Sequence, residues 1–267
     1  MEHFNQSHEE IENILASLPR ETVIGEFSGR DSVAAILKAF ESPDIKDILP
    51  VMSFAGTEYG NLEGLKENEE RLRQRINKLY GKEKRLHSTI IFSNPKLWSV
   101  LNGRPVHALI ERYGFYTPCI GCHMYFHLLR VPIARRLGCK IISGERISHG
   151  GKIKLNQLKS SLDTYAKVLK NLDVELLFPI RDIVEGDAIK DLLGWEWAEG
   201  KEHPACMYSG NYRGMDGVTE YSEEKLQAFL TDFLLPLSIR LGKIIIDDPN
   251  ASLEELQKPL YDLELGQ

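Results

Sequence analysis

The chain has 267 residues, 42% apolar and 27% charged, an ordinary composition for one large or two small globular domains. Its formal net charge of −6 weighs against tight non-specific nucleic-acid binding, which needs clustered Lys and Arg to displace counterions. No apolar run reaches about 18 residues, so no membrane span is expected. The opening MEHFNQSHEE lacks the basic and apolar regions of a signal peptide, so a cytoplasmic protein is expected.

Residues 1–20 are acidic and read as an added amphipathic helix, and 21–267 read as a single α/β domain. Apolar, β-branched runs at 22–27, 48–54, 88–92, 140–143 and 175–180 predict strands, with a shorter one, KIIID, at 243–247. Helix-period segments lie near 32–41, 60–80, 121–137, 156–171 and 185–193, and 222–240 reads as a closing helix. Near-continuous apolar strands alternating with helices predict a doubly wound, mostly parallel sheet. Residues 195–220 show little periodicity and read as a long loop, the kind of segment that often carries function.

The tightest polar turn lies between the first strand and the first helix of this domain. It reads SGRDS, Ser28 to Ser32. Gly29 lets backbone approach a ligand, and the amides of the turn and of the helix start favour an anion. Ser28 and Ser32 add hydroxyl donors and Arg30 a charged one. The plainer reading is an N-cap, with Asp31 or Ser32 starting the helix.

Four cysteines are present, Cys119, Cys122, Cys139 and Cys206. In a reducing compartment they are metal ligands, catalytic thiols or core residues before they are disulfides. Cys119 and Cys122 form a C-x-x-C pair whose sulfurs can face one metal. Cys206 is the candidate third ligand, and Cys139 reads as core. The pair is also compatible with a zinc site completed by His123, His127 or His203.

The turn resembles the PP-loop of the ATP pyrophosphatase superfamily, S-G-G-x-D-S after the first strand. Ser28, Gly29, Asp31 and Ser32 match it, and the second Gly is absent. A PP-loop, then C-x-x-C, then one downstream cysteine is similar to the layout of the tRNA 2-thiolation enzymes. LLRVPIARRLGCKIISGE and LFPIRDIVEGDAIKDLLG also resemble stretches of that group, and the likeness covers roughly residues 22 to 215. GTEYGN resembles the turn after the second strand in the phosphoadenylyl-sulfate reductase branch. Where the thiolation enzymes carry G-H-x-x-D-D, this chain keeps Gly144 but has Ser148 and His149 in place of the Asp pair. Its G-E-R resembles the G-x-R of the reductase branch.

The resemblance implies an adenine-nucleotide site at the carboxyl ends of the strands. Ser28, Gly29, Arg30, Asp31 and Ser32 would hold pyrophosphate, and Ser53, Phe54 and Phe92 would flank adenine and ribose, with Gly144 nearby. It implies ATP and Mg2+ as cofactors, and a [4Fe-4S] cluster on Cys119, Cys122 and Cys206. Asp31, Arg146 and Lys152 are the catalytic candidates. The implied activity is sulfur transfer: adenylation of a tRNA base or small heterocycle, then displacement of AMP by sulfur from a donor. Alternatives are a cluster-dependent desulfidase or reductase, and a zinc-stabilised nucleotide-binding module. The zinc modules that some thiolation enzymes use on RNA are missing here. Basic stretches at 82–85, 130–136 and 152–154 are candidates for an RNA face. A homodimer is a further expectation.

Overall fold

The computed structural model describes residues 5–147, 150–197 and 204–263. In chain order its elements are α1 (His8–Ala16), β1 (Val23–Glu26), α2 (Arg30–Ala39), β2 (Asp47–Ser53), β3 (Glu58–Tyr59) and α3 (Glu63–Tyr80). Then come β4 (Arg85–Leu86), β5 (Ile90–Phe92), α4 (Pro95–Trp98), α5 (Val106–Tyr113), α6 (Pro118–Leu137), β6 (Ile141–Ile142) and α7 (Lys159–Asn171). The chain continues through β7 (Leu176–Leu177), α8 (Gly186–Leu193), β8 (Ala205–Cys206), α9 (Glu223–Ala228), α10 (Leu235–Asp247) and α11 (Leu253–Asp262). Two compact units result. One comprises Met1–Ser93, Arg136–Lys152 and Glu175–Met207; the other comprises Asn94–Arg135, Ile153–Val174 and Tyr208–Gln267.

The first unit is an α/β fold. Its main sheet has the order β4-β2-β1-β6-β7, with β5 also on β2, and every pairing is parallel. The chain runs outward from β1 to β2 and onward, then returns to the other side of β1 as β6 and β7. The order therefore reverses between β1 and β6. In such sheets ligands bind outside the carboxyl ends of the strands at that switch point. β1 is buried along Val23, Ile24 and Gly25, as a central parallel strand should be. Gly25 allows close packing, since a Cβ there would stand 2.8 Å from Ile48 Cγ2 and 3.0 Å from Ile36 Cγ1. α2 is buried along most of its length, from Ser32 to Leu37 and at Ala39. A second, two-stranded antiparallel sheet pairs β3 with β8, Glu58 opposite Cys206.

The second unit is helical among its described residues. Tyr165, on α7, donates from its hydroxyl towards the carbonyls of Ile120 and Asn156, 3.1 Å from each. Gly242 on α10 lies against Leu172: a Cβ there would run into Leu172 Cδ1 and stand 2.9 Å from Cδ2.

One strand expectation is corrected. KIIID at 243–247 is the end of α10, not a strand. Leu237, Leu241 and Ile245 are buried four residues apart, so the run continues a helical face. The closing helix at 222–240 is α9, a widened turn over Phe229–Leu234, and then α10. The widening precedes Pro236, which has no amide hydrogen to return to the preceding turn. In the predicted loop 195–220, Ala205–Cys206 forms a strand, and 198–203 lie outside the described residues.

Candidate functional site

The turn after β1 folds around one oxygen. The amides of Ser28 and Gly29 donate to Ser32 Oγ at 2.9 and 3.0 Å, and that hydroxyl donates to Gly29 O at 2.8 Å. Consecutive amides converging on one acceptor form a nest, the backbone arrangement that cradles anions. α2 begins at Arg30 with Gly29 as its cap, and Ser32, the third residue of the helix, accepts from the cap's amide, so the helix-start role falls to Ser32 and not to Asp31. The Asp31 carboxylate instead accepts from Arg30 Nε at 3.2 Å and Arg146 Nε at 2.9 Å.

Arg146 comes from the loop after β6. Its side chain is 4% exposed, and its Nη1 donates to the carbonyls of Ile183 and Val184, each at 3.2 Å, beyond β7. One guanidinium thus ties together the segments that follow β1, β6 and β7. Gly144 lies directly on the start of α2. A Cβ there would run into Ser32 N and Cα and stand 2.8 Å from the Asp31 carbonyl carbon. This contact explains why glycine stands at that position.

Glu26 completes the link. Its Oε2 accepts from Ser143 Oγ at 2.8 Å and Gly144 N at 3.2 Å, and its Oε1 from Ser28 Oγ at 3.4 Å. Ser143 Oγ also stands 3.0 Å from Oε2 of the buried Glu145, and its one proton serves one carboxylate at a time. Sequence reasoning passed over Glu26. The available signal was an acidic residue ending an otherwise apolar strand, VIGE.

Ser53 and Phe92 are register partners at the ends of β2 and β5, and Phe54 follows, buried. Ser53 Oγ is buried and has no hydrogen-bond partner among the described residues. Lys152 does not join this group. It is exposed, and among the described residues it makes no hydrogen bond or ion pair. Ser148 and His149 lie outside the described residues.

Cys119 and Cys122 are the second and fifth residues of the 20-residue α6, where i and i+3 side chains share a face and the helix dipole favours negative charge near the start. Cys119 Sγ is 3.6 Å from both Tyr208 O and Asn211 Oδ1. In the other unit, Cys206 on β8 is held against the turn that follows β2. Its Sγ is 3.6 Å from Thr57 Oγ1, and Met207 N donates to Thr57 O at 3.0 Å. Burial pushes the Cys139 thiol up to about 11, so at neutral pH it is a protonated thiol and a poor ligand.

His123 Nε2 is 2.7 Å from Asn156 Nδ2, and buried His127 packs on Tyr165 with centroids 5.2 Å apart. His203 lies outside the described residues. Among the described residues no three His, Cys, Asp or Glu side chains are gathered as a single-ion site requires. Arg130 is buried, Arg135 and Arg136 pair with Asp173 and Glu12, and Lys84 Nζ donates to two backbone carbonyls. No helix among the described residues is long and apolar enough to cross a membrane.

No family model matches the chain. Over 224 residues it is 46% identical to uncharacterized protein MJ0009 of Methanocaldococcus jannaschii, covering 84% of this chain and 80% of that one. The chain belongs to the family of that archaeal protein. Among solved structures, the U34-tRNA thiolase NcsA from Methanococcus maripaludis with its [4Fe-4S] cluster aligns over 96% of this chain and 77% of that one. The TM-score is 0.35 and the identity 11%, so no residue role in this MJ0009-family chain is drawn from it.

Proposed function

We propose that this chain is a PP-loop ATP pyrophosphatase-type sulfur transferase that adenylates a tRNA base or small heterocycle. The observation that carries this reading is the nest at the switch point. Two consecutive amides converge on the Ser32 hydroxyl, whose place a phosphate oxygen would take, beside an aspartate held by two arginines. Phosphate chains are bound by such amides at a helix start. The orphaned hydroxyl of Ser53 suits a ribose or adenine partner, because a buried polar group without a partner is costly.

In the reaction, the substrate's carbonyl-type oxygen attacks the α-phosphorus of ATP and pyrophosphate leaves, its charge neutralised by Mg2+. Sulfide from a donor then attacks the same carbon, and AMP leaves with the oxygen. Ser28, Gly29 and Ser32 hold phosphate oxygens, Arg30 offsets their charge, and Arg146 acts as a positioning residue for Asp31.

Three thiolates suit a [4Fe-4S] cluster, whose irons are held by cysteine sulfur. Cys119, Cys122 and Cys206 are the residues that would hold it. A three-thiolate cluster supplies an open iron position that can carry sulfide.

A second reading has one observation in its favour. The amides of Ser28 and Gly29 are already satisfied by Ser32, so the loop could hold an adenylated ligand without cleaving it while the cluster removes or reduces sulfur. Turnover coupled to pyrophosphate release separates the two.

The test is metal and sulfide content of anaerobically purified protein, wild type and Cys206→Ser, with pyrophosphate release measured alongside. About four iron and four sulfide per chain, lost in the variant, are expected. Zinc alone, or no metal, would sink the cluster.

A further inference from the structure

The second unit holds a cavity of about 760 Å3. That lies within the usual range of small-molecule sites, roughly 300–1,000 Å3. Phe115, Tyr116, Tyr212 and Tyr221 line it. Two of these rings are braced from behind. Phe115 meets Phe229 edge-on with centroids 5.6 Å apart, and the Tyr116 hydroxyl donates to Asn102 O at 2.8 Å. The charged lining is balanced, Arg213 and Lys225 against Asp216 and Glu220. It offers no net field to a polyanion, while flat aromatic walls suit a planar, uncharged ring.

Asn211 joins this cavity to the cysteine pair. Its Oδ1 accepts from Thr117 Oγ1 at 3.3 Å and lies 3.6 Å from Cys119 Sγ. With the oxygen used in this way, the amide nitrogen is the part of Asn211 left to donate to a ligand carbonyl.

We propose that this cavity binds a single planar, uncharged nucleobase, as a free base or nucleoside, stacked on its tyrosines and read by Asn211 beside Cys119. Binding stands on the cavity alone; what then happens to the ring rests on the sulfur-transfer reading above. Cys119 would place the sulfur chemistry at the edge of the bound ring.

The experiment is a titration of the full chain with uridine, followed by calorimetry and by saturation-transfer NMR. Saturation is expected to be stronger on the base protons than on the ribose protons. Tyr212→Ala and Tyr221→Ala are each expected to weaken uridine about tenfold, as loss of a base-stacking ring does. Asn211→Asp keeps the oxygen acceptor but loses the donor and should weaken it as well. Asp31→Asn, in the other unit, should weaken ATP but leave uridine binding in place.

Absence of uridine binding, or binding indifferent to both tyrosine variants, overturns the proposal. Uridine binding lost with Asp31→Asn but kept in the tyrosine variants would place the base elsewhere, and also overturns it. Tyrosine-dependent uridine binding in a protein without iron or ATP turnover supports the cavity and sinks the sulfur-transfer reading instead.

Discussion

Asp31 is the side chain on which the first unit's site converges. Its carboxylate meets one arginine from its own turn and one from the loop after β6. Removing it altogether would leave the buried Arg146 guanidinium without its charged partner, so Asp31→Ala would confound binding with folding. Asp31→Asn keeps the shape and one oxygen acceptor for the guanidinium groups and is the milder probe: ATP affinity measured by calorimetry should fall at least tenfold, and the melting temperature should fall too, because the buried Arg146 still loses its charged partner. Unchanged ATP affinity would remove the turn from the nucleotide site. Gly144 makes a different demand. Alanine there must displace the backbone of α2's first turn rather than a flexible side chain. Overpacking of this kind costs about 1–3 kcal/mol, and more where backbone must move. Gly144→Ala should therefore lower the urea midpoint clearly and weaken ATP as well. The motif match was legible at Ser28, Gly29, Asp31 and Ser32. What each does was not, since Ser32 serves the turn's own amides and Asp31 the arginines.

Among the elements, local pattern predicted the strands of the main sheet better than the closing helices. KIIID carries three consecutive isoleucines, and a short apolar run does not distinguish a strand from a buried helical turn. Only the four-residue recurrence from Leu237 through Ile245 reveals the helix. The contact between α7's end and α10 offers a clean test. Gly242→Ala should destabilise by about 1–2 kcal/mol, because its methyl collides with Leu172. In a Leu172→Ala background the same change should cost little or nothing. Additive losses in that double-mutant cycle would show that the two residues are not in contact. The pairing of β3 with β8 lay beyond sequence reasoning altogether. Two-residue strands carry no period, and their ladder joins the turn after β2 to a segment far along the chain.

For the whole molecule, charge state gives a prediction with a definite sign. Burial, and secondarily the neighbouring Tyr208, Cys122 and Cys119, push the Tyr116 phenol up to about 12. Below about pH 10 the native and unfolded chains both hold this proton. Between pH 10 and about 12 the unfolded chain loses it while the native chain keeps it, so stability declines over that window. Tyr113 and Tyr212 are raised by burial too and act in the same direction. Urea midpoints should therefore fall across that range, and Tyr116→Phe should shallow the slope. A slope identical to wild type would mean that Tyr116 titrates normally.

By itself the sequence determined the alternation of buried strands and helices, the polar turn after β1 and the spacing of the cysteine pair. Each of these rests on near neighbours: alternation, helical period, and the reach of a few residues of chain. The tertiary structure decided which loops meet at the switch point, that Arg146 and Glu26 bind the turn, and that Cys206 pairs with the strand after β2. It also decided that aromatic residues from two distant segments enclose one cavity. These are contacts between residues far apart in the chain. They depend on where parallel strands and packed helices bring the loops, and a single linear pattern does not encode that.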